Sequence, residues 1–345
     1  MAGPMRKLII QIPCYNEEAS LADTLAALPR SLPGIDVIET LVIDDGSSDA
    51  TGEVARRAGA TYLLRLPVHA GLARAFSVGL DAALKLGADV IVNTDADHQY
   101  PGTEIPRLVA PIVAGHVDIV IGDRTPSWSR DFGVRKRFLQ GMGSWVVRRL
   151  SGTTVPDATS GFRAFSRRAA LRMNVVTKFT YTLETIIQAG KKHIPIGHFP
   201  IPTNPVRRPS RLFGSMALYV RRSIATMMRI YALYEPLTVF VGLGGIAVLI
   251  GLGIGARFAF DWLFEGGGGH IQSLILAAVL VIVGFQTMLI GLVADLIASS
   301  RMLVEDTLLR VRELELRFGR EADVERLQTG APASPARAES GRQAR

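Results

Sequence analysis

The stretch that decides the fold is Asp89-Val90-Ile91-Val92-Asn93-Thr94-Asp95-Ala96-Asp97-His98-Gln99. Asp89 to Thr94 is a short Val/Ile-rich run of the kind that forms a strand buried on both faces. Two carboxylates flanking one alanine follow it at once. Leu72 to Leu86 before it and Thr103 to Ala114 after it read as helices. The alternation extends outward in both directions. Lys7 to Ile12, Ile38 to Ile43, Thr61 to Arg65 and Val117 to Gly122 read as strands, and Glu17 to Leu28 and Asp49 to Ala58 as helices. This pattern predicts an α/β domain with a mainly parallel sheet covered on both faces. Ligands of such sheets bind beyond the C-terminal ends of the strands, so the residues that follow each strand carry the information.

After the first strand comes Pro13-Cys14-Tyr15-Asn16-Glu17-Glu18. After the second comes Asp44-Asp45-Gly46-Ser47-Ser48-Asp49, and after the fifth Gly122-Asp123-Arg124. Acids therefore recur at one edge of the sheet. Some have ordinary structural reasons: Asp44 and Asp45 suit a turn, Ser47, Ser48 or Asp49 suits a helix cap, and Glu17 and Glu18 suit a helix N-terminus. Asp95 and Asp97 cap nothing, because the next helix begins only near Thr103. With Gln99 they offer hard oxygen ligands for Mg²⁺ or Mn²⁺, ions that complete their shells with substrate phosphates. That chemistry points to a diphosphate. There is no Gly-x-x-x-x-Gly-Lys-Ser/Thr sequence, and the Gly242, Gly244, Ala247 match to a dinucleotide fingerprint lies in an apolar span, where it reads as helix packing.

The 345 residues are 48% hydrophobic, carry a net charge of +8 and include one cysteine, Cys14. This composition excludes a disulfide framework, a Cys-rich zinc site and a disordered chain. The apolar excess sits late. Leu237 to Ala256 is 20 residues without a charge and Ile271 to Ala294 is 24, each enough for about 30 Å of hydrocarbon. A buried helical hairpin is the alternative, and two uncharged runs of this length are rare in soluble domains. Six arginines and no acid lie between Arg207 and Tyr231, and five arginines between Arg301 and Arg320, whereas the connecting loop has only Arg257. The positive-inside rule then puts the α/β part and both termini in the cytoplasm, with a multi-pass anchor in the cell (inner) membrane. Met1 to Arg6 does not read as a signal peptide. The expected organisation is a cytoplasmic domain over 1–212, an interfacial amphipathic helix over 213–234, two spans (236–257 and 271–298) within 235–300, and a cytoplasmic amphipathic helix and disordered tail over 301–345. The helix over Met302 to Phe318 reads as solvated or as a short coiled coil, which leaves a homo-oligomer open. The basic residues cluster beside apolar segments, which argues against nucleic acid as the partner.

Taken together, the strand-end motifs resemble those of family 2 glycosyltransferases with the GT-A fold, a Rossmann-like arrangement. They are most similar to the polyprenyl-phosphate sugar synthases. The resemblance covers the chain to about Leu212. It implies a metal-dependent, inverting transfer of a hexose, mannose or glucose, from a GDP- or UDP-sugar to a polyprenyl phosphate at a membrane surface. It implies that Pro13, Tyr15, Glu17 and Asp44 hold the nucleoside with Asp45 near the ribose, and that Asp95, Ala96, Asp97 and Gln99 form the metal and diphosphate site. The run Asp157-Ala158-Thr159-Ser160-Gly161-Phe162-Arg163 resembles the acceptor-side motif. Arg124, Ser160, Arg163, Arg207, Arg208 and Arg211 match the positions that bind acceptor phosphate, and Asp97, Asp157 and Arg163 are the expected catalytic residues. Two positions depart from the pattern: His69 stands where Asn is frequent, and Arg211 where Lys is common. A processive polysaccharide synthase fits less well, since it would carry a Gln-x-x-Arg-Trp motif. A non-catalytic scaffold that binds a nucleotide sugar or lipid is the alternative from another class.

Overall fold

Continuous apolar strands have to divide their side chains between two cores, and β1 (Lys7–Cys14) does so: Ile9 enters one core while Leu8, Ile10 and Ile12 enter the other. The neighbouring strands β2 (Val37–Asp44) and β4 (Val90–Asn93) split in the same way, with Leu41, Ile43 and Ile91 on one face and Val42, Val90 and Val92 on the other. Each such side chain, wholly withdrawn from water, contributes about 1.5–3 kcal/mol. The computed structural model describes residues 5–124, 145, 147–149, 151–176, 181–205, 221, 225, 229, 235–264, 271–318 and 324–327.

The remaining elements are α1 (Leu21–Ala26), α2 (Thr51–Arg57), β3 (Tyr62–Arg65), α3 (Leu72–Lys85), α4 (Ile105–Val113), β5 (Ile119–Asp123), β6 (Arg163–Ser166), α5 (Arg167–Arg172), α6 (Tyr181–Lys191), β7 (Ile196–Pro200), α7 (Pro236–Phe264), α8 (Ile271–Arg317) and β8 (Glu325–Arg326). The sheet runs β7-β5-β6-β4-β1-β2-β3-β8. Strands β6 and β8 are antiparallel to their neighbours and the other pairings are parallel. Helices α3, α5 and α6 cover one face, and α1, α2 and α4 the other. The expected mainly parallel α/β domain is present.

Helices α7 and α8 pack on each other through small residues. Gly244 and Gly284 approach so closely that a Cβ on Gly244 would lie 2.5 Å from the Gly284 carbonyl oxygen. Their apolar windows have mean hydropathies of 2.4 and 2.5, and only 11% and 17% of the residues in those windows are buried. A helix of a soluble core would be mostly buried. The second of the two is one continuous helix of 47 residues, about 70 Å long, so the amphipathic segment over Met302 to Phe318 is its extension rather than a separate element. That extension docks on the α/β domain. Leu309 and Leu316 pack against the core, Arg312 Nη1 donates to the Leu171 and Met173 carbonyls at 3.1 and 3.2 Å, and Glu305 pairs with Lys192 at 2.9 Å. Lys191, at the end of α6, pairs with Glu235 just before α7. Past the helix, β8 adds to the sheet edge, with Arg326 opposite Tyr62 and Glu325 opposite Leu63. Of the expected interfacial helix over 213–234, Arg221, Ala225 and Arg229 are described and are helical. The rest of it, and the tail after Leu327, lie outside the described residues.

Candidate active site

Parallel pairing brings the strand ends into line. Cys14 is in register with Asp44 across β1 and β2, and Gln11 with Asn93 across β1 and β4. The loops that follow are laced together. Asn16, at φ 54°, donates its backbone N–H to Ser47 Oγ and accepts from the Ser48 N–H, while Glu17 N–H donates to Thr51 Oγ1 at 2.8 Å. The Glu17 carboxylate accepts from Ser20 Oγ at 2.8 Å. Pro13 is the second-last residue of β1, and Tyr15 just beyond the strand is 39% exposed. Cys14 is buried, which pushes its thiol well above the ordinary range.

The two adjacent aspartates do different work. Asp44 Oδ1 accepts from the Ser47 N–H at 2.8 Å, whereas its buried Oδ2 accepts no hydrogen bond and has the Arg65 Nε at 3.4 Å. Asp45 spends both oxygens on the chain, taking the Ala70 N–H at 2.8 Å and the Gly71 N–H at 2.9 Å. It thereby shapes the loop before α3, a task that its expected place near a ribose does not describe.

Asp95 and Asp97 follow β4 in a tight turn. Asp97 Oδ1 accepts from the Gln99 N–H at 3.0 Å, and His98 adopts φ 60°. Ala96 is buried, and its carbonyl accepts from Thr24 Oγ1. Asn204 braces the turn, donating from Nδ2 to the His98 carbonyl and from its backbone N–H to that of Gln99, both at 2.9 Å. Burial, and then the charge of Asp97, push the Asp95 carboxyl up to about 7. Two carboxylates that repel one another in this way would be stabilised by a cation between them. No third Asp, Glu, His or Cys joins them as a ligand cluster among the described residues. The donor set suits Mg²⁺ or Mn²⁺, which take one or two carboxylates and leave positions for phosphate oxygens.

Behind Asp95 lies a buried polar chain that the sequence did not reveal. Gln11 Nε2 donates to Asn93 Oδ1, and Asn93 Nδ2 donates to the Gly161 carbonyl and to the Tyr181 hydroxyl, each at 2.9 Å. The Gly161 N–H donates to the Tyr100 hydroxyl at 3.1 Å. A Cβ at position 161 would stand 2.8 Å from Asp95 Oδ1 and 2.9 Å from the Tyr181 hydroxyl, so any larger residue would have to displace one of them.

The loop from Asp157 to Arg163 is closed on itself. Arg124 grips Asp157 through Nε at 2.8 Å and Nη2 at 3.3 Å, and its Nη2 also donates to Thr159 Oγ1. Burial works against ionisation of Asp157, but the charge and hydrogen bonds of Arg124 outweigh it and hold the carboxyl below its usual range. Ser160 is fully buried and its Oγ accepts from the Phe162 N–H. Arg163 is also fully buried. It donates from Nε to the Ser160 carbonyl, from Nη1 to Thr182 O and Thr185 Oγ1, and from Nη2 to the Ala158 carbonyl. Burial brings its pKa down to about 10. The guanidinium expected to meet an acceptor phosphate instead ties the loop to α6. Arg207, Arg208 and Arg211 lie outside the described residues, and Asn204, near the end of the described run 181–205, sits beside the Asp97 turn.

A parallel-dominated α/β sheet with an acidic pair at its C-terminal edge, joined to two long apolar helices, defines a GT-A-like glycosyltransferase. Comparison with known proteins agrees. Glucosyl-3-phosphoglycerate synthase from Mycobacterium tuberculosis, solved with Mn²⁺, UDP-glucose and phosphoglyceric acid, superposes with a TM-score of 0.52 at 22% identity, covering 66% of this chain and 80% of that one. The Glycosyl transferase family 2 domain matches residues 9–172. Glycosyltransferase AglJ of Haloferax volcanii is 27% identical over 318 residues, 89% of this chain and 97% of that protein. An undecaprenyl-phosphate mannosyltransferase of Micrococcus luteus is 34% identical over 167 residues, 47% of this chain and 66% of its own. Residues 9–172 thus match a family 2 glycosyltransferase domain, and the chain is a glycosyltransferase related to the polyprenyl-phosphate sugar transferases.

Proposed function

We propose that this protein transfers a hexose, mannose or glucose, from a GDP- or UDP-sugar to a polyprenyl phosphate, with inversion, at the cytoplasmic face of the cell membrane. One observation carries the reading: the Asp95–Asp97 pair lies at the edge of a domain that is clamped, through Lys191–Glu235 and Lys192–Glu305, to the residue before α7 and to the C-terminal part of α8, two long helices with apolar spans. That arrangement suits a water-soluble donor and a lipid acceptor meeting at one site.

In this reading Pro13, Tyr15, Glu17 and Asp44 hold the nucleoside, the Asp44 Oδ2 being buried beside Arg65 with no hydrogen-bond donor of its own. Asp95, Asp97 and Gln99 hold Mg²⁺ or Mn²⁺, which supplies charge neutralisation at the leaving diphosphate. Asp45 and Asn16 keep the loops around the nucleoside in place. A phosphomonoester acceptor has a second pKa near 6, so it arrives largely as a dianion and needs no strong general base. The harder task is to hold two anions together, and Arg207, Arg208 and Arg211 suit it as guanidinium donors beside the interfacial segment. Arg124, Asp157, Ser160 and Arg163 position the acceptor loop instead of touching the phosphate.

The test is to incubate the purified protein in lipid with GDP-mannose or UDP-glucose and a polyprenyl phosphate. A mild-acid-labile glycolipid is expected. Its absence with every hexose donor, or full activity in Asp97→Ala, would overturn the reading.

A further inference from the structure

Tyr15 and His69 come from different loops, yet their rings stack with centroids 3.8 Å apart and planes 25° from parallel. The imidazole is held from below: Nδ1 lies 2.9 Å from Asp45 Oδ2, and the Asp45 side chain, 3% exposed, is itself locked by the Ala70 and Gly71 N–H groups. Tyr15 is fixed by its neighbours, the buried Cys14 and the Asn16 backbone bound to Ser47. Both rings nevertheless keep much of their surface in solvent, 39% for Tyr15 and 50% for the His69 side chain. An aromatic pair built this rigidly and left this open does not serve the core.

What lies beside it has the chemistry of a nucleoside site. A cavity of about 380 Å³ is lined by Gly46, Ser47, Arg65, Leu66 and Pro67. Gly46 brings it against the His69 loop, since a Cβ there would fall 2.7 Å from the His69 backbone nitrogen. Arg65 lines the cavity and reaches Asp44, whose buried Oδ2 lacks a hydrogen-bond donor. A planar ring with N–H groups at its edge satisfies both features, since its face stacks and its edge donates.

We propose that His69 is a positioning residue for the donor nucleotide, its imidazole, fixed by Asp45, propping the Tyr15 ring as a flat platform for the nucleobase. This rests on the nucleotide-sugar reading above. The stack is formed equally in the ground and transition states, so its loss raises KM for the donor and leaves kcat at saturation unchanged.

Titration calorimetry of the full-length protein with UDP and with GDP tests this, using His69→Ala, His69→Asn and His69→Phe. The nucleotide that the wild-type protein binds should lose roughly three- to tenfold in affinity in the Ala and Asn variants. The Phe variant, which keeps a ring but not the Asp45 contact, should return to within about twofold of wild type. Donor KM should follow the same order at constant kcat. Wild-type affinity in His69→Ala, or a Phe variant as weak as Ala, overturns the platform while leaving the glycosyltransferase reading intact. Failure of the wild-type protein to bind either nucleotide overturns both.

Discussion

The two flanks of the Asp95–Asp97 pair are built on opposite principles. On the β1–β2 side, the hydroxyls of Ser47 and Thr51 and the carboxylates of Asp44 and Asp45 hold the loops through backbone N–H groups, while the Tyr15 ring stays 39% exposed and the buried Asp44 Oδ2 lacks a hydrogen-bond donor. On the Asp157–Arg163 side the charges are spent on one another and on backbone carbonyls. The first flank uses backbone N–H groups to fix loops that hold an aromatic ring out, and the second spends its charges on one another to hold a loop together. Charged residues of a motif therefore need not touch a ligand. A buried arginine with four hydrogen bonds to protein atoms has the role of a scaffold.

Mutations can break this contrast. Asp97→Ala has the largest expected effect, a loss of about 10³-fold in kcat with little change in melting temperature, read by glycolipid formation and by calorimetry. Asp157→Asn should instead act on stability, lowering it by about 3 kcal/mol because Arg124 is left buried without its counter-charge. The same pair makes a pH prediction. The Asp157 carboxyl is held below its unfolded value, so its stabilisation is full above about pH 4 and is lost as pH falls through the lower folded value. Acid unfolding of the wild type should therefore be steeper than that of Asp157→Asn. A stable Asp157→Asn that has lost only acceptor affinity would erase the distinction between the flanks. Gly161→Ala sits where the flanks meet and should cost about 1–3 kcal/mol, since the added methyl overlaps Asp95 and Tyr181; a structure of the variant would show the carboxylate displaced. Arg56→Ala, which removes only an exposed pair with Glu325 at the sheet edge, should leave melting temperature and activity where they are.

Local pattern accounted for the half of the domain in which neighbours in sequence are neighbours in space. The run Lys7 to Ile12 became β1, Ile38 to Ile43 became β2, and Leu72 to Leu86 became α3, each within two residues at either end. Strands β6, β7 and β8 were not legible. Strand β6 is four residues long, begins with an arginine and takes its register from β4, some 70 residues earlier. Two-residue β8 exists only because α8 delivers it to the edge of β3. The candidate site divides in the same way. Acids after strands were visible because a parallel sheet puts all such positions on one edge. The fate of Arg163 was not, because the carbonyls that absorb it belong to residues 158, 160 and 182, and only the tertiary fold brings 182 near. Asn93, within the apolar run of β4, and Tyr100 and Tyr181, which read as ordinary buried aromatics, gave no signal of the polar chain that they form.

Because α8 is unbroken from Ile271 to Arg317, its apolar half and its docked half share one helical phase. Each residue turns a helix by about 100° and advances it about 1.5 Å. A single deletion near Ser299 would swing Leu309, Arg312 and Leu316 a quarter-turn or more off their seats, while removing seven residues, close to two full turns, would nearly restore them. Evolution can thus change the height of the catalytic edge above the apolar hairpin only in steps, and the permitted steps are those of a ratchet.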